Sequence, residues 1–240
     1  MDSRVLAIRK HLKKKLDPMR FEHTLGVAYT CQALAMRYEY DLDKAELAGL
    51  LHDCAKRYDG ETMLKKCEER GIEISESERR DPSLLHAKLG AWMANEKYGV
   101  DDKEIADAIA CHTTGKPGMT LLDKILYVAD YIEPRRYKAS ELPAMRKLAF
   151  EDLDLACFSI MESILKYLES GDCPIDPMTQ AACEDMRRIV ENRKITEQEQ
   201  SGQEPEPKEV PKNESVKGNG KTRSRSTGRE KRRRRKDHRH

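Results

Sequence analysis

The sequence predicts an all-α protein, and three observations carry that expectation. Apolar residues recur at three- and four-residue spacing in segment after segment. No segment alternates apolar and polar residues as a half-buried strand would. Helix start and stop residues, such as Asp17 with Pro18, Gly71, Gly99 and Pro134, fall at the ends of these segments.

In chain order, MDSRVLAIRKHLKKKL reads as a basic amphipathic helix. Asp17 caps the next one, with Pro18 at the first position, where a missing N–H costs nothing. MRFEHTLGVAYTCQALAMRYEY then carries Leu25, Ala28 and Leu34 on one face. Asp43 is expected to cap KAELAGLLHDCAKR, and the short helix ETMLKKCEERG stops at Gly71. A polar connector leads to SLLHAKLGAWMANEKYG, which ends at Gly99. Asp101 or Asp102 opens KEIADAIACH, and TTGKPGM is a loop. TLLDKILYVADYIE is stopped by Pro134. PAMRKLAFEDLDLACFSIMESILKYLESG reads as one long helix with Pro143 near its start, and TQAACEDMRRIVENRK is the last. The methionines and Trp92 fall at core spacing, and no internal repeat is visible.

Charge divides the 240 residues into a helical domain, 1–196, and a tail, 197–240. The tail holds 14 Lys/Arg against 8 Asp/Glu, a balance of +6, and the remainder 31 against 35, a balance of −4. Apolar residues are almost absent after Val216, so the tail cannot bury enough surface to offset its ordering entropy and is expected to be disordered. Its run GREKRRRRKDHRH suits a polyanion or RNA through counterion release, but it has no interleaved aromatics for base stacking.

Seven cysteines (Cys31, Cys54, Cys67, Cys111, Cys157, Cys173, Cys183) are scattered, odd in number and without a CxxC pair. That argues against a disulfide framework or a cysteine zinc site, and for a reducing, cytoplasmic setting. The N-terminus lacks the apolar run of a signal peptide, and no stretch approaches the ~20 apolar residues of a membrane span. There is no GxxxxGK[ST] loop, and no serine sits in a nucleophile-elbow context.

The residues that demand a chemical explanation are His23, His52, Asp53, His86, His112 and Asp130. His11 lies on the basic first helix and His238 and His240 in the tail, where solvation accounts for them. A lone histidine on an apolar helix is usually a hydrogen-bonded core residue, which would suit His86 and His112. Asp130 is harder to dismiss. Set among Leu126, Val128, Ala129 and Ile132, its carboxylate faces a large desolvation cost unless a cation or donors satisfy it. Adjacent His52 and Asp53 would point about 100° apart on a regular helix, so they reach one centre only if the helix ends or bends there.

The ordered set is more specific than any member. A histidine, an HD pair 29 residues later, two further histidines and a distant helical Asp follow the ligand order of the HD-domain phosphohydrolases. Imidazole and carboxylate suit Fe, Mn, Zn and similar divalent ions, which acidify water and grip phosphate oxygens. The flanking segments RFEHTLGVAYTCQALA, AGLLHDCAK, LLHAKLGA and AIACHTTGKPGMTLLDKILYVADYIEPRR resemble the YqeK-type HD proteins, which are symmetrical diadenosine tetraphosphate hydrolases. The resemblance covers about residues 18–190. The tail has no counterpart in it.

That resemblance implies an HD-domain helical bundle that splits dinucleoside polyphosphates into two ADP. It implies that His23, His52, Asp53 and Asp130 hold a metal, expected to be iron or another divalent transition ion such as Mn or Co. Asp53 would also orient the attacking water, and His86 and His112 would act in catalysis by contacting phosphate or a second metal. Arg20, one turn before His23, and Arg136, after Pro134, would clamp phosphate. Thr113 would contribute a donor, and His23 and Asp130 would also touch nucleotide. Lys56, three residues after Asp53, would add positive charge. The looser match CPIDPMTQAA extends nucleotide contact to Ile175 and Met178. A homodimer is a further expectation. Two alternatives share the ligand set: another HD reaction, on a nucleotide monoester or a guanosine polyphosphate, and a non-catalytic nucleotide sensor whose tail engages RNA.

Overall fold

The computed structural model describes residues 3–171 and 175–201; the tail beyond Ser201 lies outside them. Among the described residues there are eleven α-helices and no strand. They are α1 (Ser3–Lys15), α2 (Pro18–Arg37), α3 (Leu42–Leu51), α4 (Gly60–Glu68), α5 (Glu76–Arg80), α6 (Leu85–Glu96), α7 (Lys103–Cys111), α8 (Leu121–Ile132), α9 (Leu142–Glu151), α10 (Leu153–Ser170) and α11 (Pro177–Ser201). A 3-10 turn, Pro82–Leu84, leads into α6.

Local chemistry sets the boundaries. Asp17 accepts from the Arg20 N–H with Pro18 next to it, Asp59 caps α4, and Asp102 caps α7. Such a cap contributes ~1 kcal/mol. Thr120 and Asp123 form a capping box at the start of α8. Gly71 takes a positive φ of 64° just beyond α4, which suits its role as a stop.

Four expectations are corrected. Asp41, not Asp43, caps α3, because its side chain reaches the N–H groups of Asp43 and Lys44 at 2.9 and 3.0 Å and so places Asp43 inside the first turn. The polar connector holds α5, nucleated by a Ser75–Glu78 capping box, with Glu78 paired to Lys88 at 2.8 Å. The long helix from Pro143 is two helices. Asp152 takes an extended conformation, caps α10 by accepting from the Leu155 N–H and pairs with Arg193. Finally, Met63, Met93, Met161 and Met186 are core, but Met19, Met36 and Met178 are exposed. Trp92 is only partly buried, with the Arg70 guanidinium 4.6 Å from its ring.

The core is a continuous cluster that includes Leu12, Leu34, Leu50, Leu51, Leu85, Leu89, Leu122 and Leu126, each essentially inaccessible. Each such burial is worth ~1.5–3 kcal/mol. α2 lies along α3 and also packs on α8; α6 packs on α7, and α3 touches α6, α7 and α8. The α2–α3 approach is close: a Cβ on Gly49 would stand 2.6 Å from the Ala28 Cα. The C-terminal end of α3 is thereby held among four other helices.

Candidate metal centre

α3 ends at Leu51, and the chain continues through successive tight turns to Tyr58. The N–H groups of Cys54, Lys56 and Tyr58 each bond the carbonyl three residues back, at 3.0–3.1 Å. Ending the helix there lets consecutive side chains converge, and the His52 Nε2 lies 3.6 Å from the Asp53 Oδ2.

Four imidazoles face this point, and each is held by its other nitrogen. The Nδ1 atoms of His52, His86 and His112 lie 2.7, 2.5 and 2.7 Å from the carbonyl oxygens of Gly49, Ser83 and Ile109, three residues earlier in each case. A carbonyl only accepts, so each Nδ1 carries the hydrogen and each Nε2 turns a lone pair inward. His23 Nδ1 lies 3.2 Å from the Glu133 carboxylate. Neighbouring rings meet edge-on with centroids 5.0–5.4 Å apart.

Asp53 sits in the middle. Its Oδ2 is 3.8 Å from His23 Nε2 and 2.9 Å from Arg20 Nη1, and its Oδ1 is 3.5 and 3.8 Å from the Nε2 atoms of His86 and His112. Asp130 brings its Oδ1 to 3.1 Å from His23 Nε2, and Arg136 donates to that same oxygen at 2.8 Å. Two groups, His23–His52–Asp130 and His52–Asp53–His112, hold donor atoms within 4.8 Å of one another. Two of these atoms, His52 Nε2 and Asp53 Oδ1, are buried with no hydrogen-bond partner. An orphaned buried polar atom costs ~1–3 kcal/mol, and a cation between these donors removes that cost. His86 and His112 make the same point, because their Nε2 atoms, both bearing lone pairs, face each other at 3.1 Å. Only a proton, a cation or a donor such as the Thr113 hydroxyl, 3.2 and 3.4 Å away, makes that approach favourable. The donor set fits a divalent transition metal.

The electrostatics follow from burial and neighbours. Burial opposes the charged form of His23, but Asp130, Glu133 and Asp53 outweigh it and raise its pKa. Burial pushes His52 down to about 4 and His86 down to about 3, with His112 and Lys56 reinforcing the shift at His86. Asp53 and Asp130 are buried against ionisation, yet the surrounding imidazoles and cations hold both below the usual carboxylate range.

The other expected residues fall in three places. Arg20 and Arg136 lie at the open edge, 36% and 47% exposed, each on a carboxylate of the centre. Lys56 is 3.6 Å from Asp53 Oδ1. Ile175 and Met178 stand apart from the histidine cluster, on a neighbouring cavity of about 410 Å³ that Thr113, Thr114, Ser77 and Lys88 also line. One residue was missed. Glu133 is buried, orients His23, and receives the Arg135 N–H at 2.8 Å. A Cβ on Gly26 would meet its Oε2 at 2.5 Å, so Gly26 makes the space for it. A carboxylate placed between apolar Ile132 and Pro134 was the available signal.

Comparison with known proteins agrees with this geometry. The HD domain family matches residues 20–135. Proteins named symmetrical bis(5'-nucleosyl)-tetraphosphatase are 40% identical over 168 residues in Bacillus subtilis (70% of this chain, 89% of the relative) and 34% identical over 166 residues in Staphylococcus aureus (68% and 84%). A crystal structure described as a predicted HD superfamily hydrolase involved in NAD metabolism, from Clostridium acetobutylicum, superposes with a TM-score of 0.74 at 37% identity. It covers 76% of this chain and 96% of that one. With its six His and Asp side chains on one point and this identity over most of its length, the chain belongs to the YqeK-type family of HD-domain hydrolases, the symmetrical bis(5'-nucleosyl)-tetraphosphatases.

Proposed function

We propose that this protein hydrolyses diadenosine tetraphosphate at its central phosphoanhydride, giving two ADP, and depends on a divalent transition metal to do so. The observation that carries the reading is the inward-facing donor set, with His52 Nε2 and Asp53 Oδ1 buried and unpartnered. The relatives' names supply the substrate class.

His23, His52, Asp53 and Asp130 would hold the metal, with iron the first expectation and manganese or cobalt equally suited to these ligands. When bound, the metal supplies Lewis acidity toward phosphate oxygens and acidifies water. Asp53 orients the water for in-line attack on phosphorus, and the bridging oxygen leaves with the departing ADP. Arg20 and Arg136 turn from their carboxylates to the phosphate chain, where a guanidinium offers paired donors. His86, His112 and Thr113 form the dry wall opposite. An incoming phosphate anion favours the protonated imidazoles, which then neutralise charge on the leaving group. The cavity lined by Ile175 and Met178 would take one adenosine end, a reading supported by Thr113, which lines that cavity and stands 3.2 Å from His86 Nε2.

The test is product analysis together with elemental analysis. Two ADP from diadenosine tetraphosphate, with activity lost in chelator and restored by iron, manganese or cobalt, is the expected result. AMP plus ATP, or full activity of metal-free protein, would overturn it.

A further inference from the structure

A second cavity, of about 680 Å³, is lined by none of the metal-centre residues. α1 contributes Arg4, His11 and Lys15 to it; the turns after α3 contribute Arg57 and Tyr58; and the end of α6 contributes Lys97 and Tyr98. No carboxylate lines it. Among the described residues, Lys15, Arg57 and Lys97 have no acidic partner within 4 Å, although the chain carries nearly as many acids as bases. Arg4 is already engaged, donating to the Gly99 carbonyl.

Favourable interaction with helix C-termini accounts for lysines at the ends of α1 and α6. It does not account for what faces them. The Arg57 Nε and the Tyr98 hydroxyl are buried with no hydrogen-bond partner. Arg57 Nη2 donates to the Tyr58 hydroxyl at 2.6 Å, and the Arg57 and Lys66 cations stand 4.7 and 4.8 Å from the Tyr58 ring. His11 meets the Tyr98 ring edge-on at 5.6 Å. Burial holds His11 below its ordinary pKa, and Arg57, Lys15, Lys14 and Lys97 act in the same direction. Uncompensated cations, unsatisfied buried donors and two phenol rings around a nucleotide-sized space call for an anion with a flat or polar appendage.

We propose that this cavity is a second phosphate-chain site, separate from the metal centre, that takes an oligophosphate either free or carried on a nucleotide. One turn serves both places: Lys56 points to Asp53, and the next residue, Arg57, points into the cavity. The site therefore fills without using any group of the hydrolytic centre.

Equilibrium dialysis of the metal-loaded full chain tests this, with labelled ADP and labelled pyrophosphate as probes. Lys15 and Lys97 are exposed, so the double variant Lys15→Glu/Lys97→Glu reverses two charges without disturbing the core. One more equivalent of ADP, that of the second site, is expected per wild-type chain than per variant chain, with unchanged circular dichroism and hydrolysis rate. Lys15→Gln/Lys97→Gln is expected to weaken the second equivalent by roughly tenfold, and keeps the test open should the reversal misfold. Second-site binding of pyrophosphate as tight as that of ADP assigns the site to a free phosphate chain. Markedly weaker pyrophosphate binding assigns it to a nucleotide held by Tyr58 and Tyr98. Equal stoichiometry and affinity in wild type and both variants, for both probes, would overturn the proposal.

Discussion

The two sides of Asp53 are built differently. Toward Oδ2 lie His23, Asp130, Glu133, Arg20 and Arg136, a set of paired charges that reaches the surface, with the His23 and Asp130 side chains 14% and 22% exposed. Toward Oδ1 lie His86 and His112, 4% and 1% exposed, anchored to backbone carbonyls with one hydroxyl beside them, and the Lys56 ammonium at the rim, 3.6 Å away. His23 is pushed toward protonation and His86 away from it. One imidazole type thus sits in two surroundings: at the open edge carboxylates favour its charged form until a bound metal displaces the proton, and in the dry wall burial disfavours that form.

Removing the residue the two sides share is the harshest test. Asp53→Ala should drop turnover at least ~10³-fold, lower metal content and leave helicity intact, because the residue is a proposed ligand and not core filler. Kinetics, elemental analysis and circular dichroism read the three outcomes; an Asp53→Ala enzyme with normal metal and rate would mean the two sides work independently. Next, Arg20→Ala or Arg136→Ala should each cost roughly 10²-fold in kcat/KM, the scale of one lost transition-state donor, at unchanged metal content. Normal kinetics for Arg136→Ala would move the phosphate clamp elsewhere. Glu133→Ala should weaken metal binding by ~10–100-fold by freeing the His23 ring. Glu133→Gln, which keeps an acceptor for Nδ1–H, should restore most of it, and a metal titration that ranks the two equally would reduce Glu133 to a packing role. At the small end, a chain ending after Ser201 should fold, bind metal and hydrolyse substrate at the full rate, since every proposed ligand precedes Tyr131. Any RNA binding of the full chain should vanish with the tail and weaken steeply with salt. Lost turnover on truncation would show that the tail shapes the centre.

Much of this was legible in residues. The capped, apolar-periodic segments became helices, and Asp130 among aliphatic neighbours announced a satisfied carboxylate before any coordinate did. The requirement that α3 end at His52 followed from the 100° between adjacent side chains. What escaped was short-range competition. Ser75 and Glu78 are spaced as a capping box, yet five residues of helix hide easily in a polar connector. Asp152 split a continuous apolar pattern because a side chain that accepts from the Leu155 N–H outweighs one turn of helical register. Nothing local to Glu133 marks its role, since its partner His23 is 110 residues away in sequence. The basic cavity was unreadable for the same reason, being assembled from three separate segments.

The anchoring of His52, His86 and His112 has an evolutionary consequence. Each ring takes its tautomer and aim from a carbonyl of its own chain three residues back, at the end or the start of a helix. A main-chain oxygen is present whatever residue carries it, so point substitution around the centre leaves these three donors aligned. The walls proposed to hold the substrate, such as the one lined by Ile175 and Met178, can then vary without disturbing that alignment, a division that lets one scaffold carry different specificities.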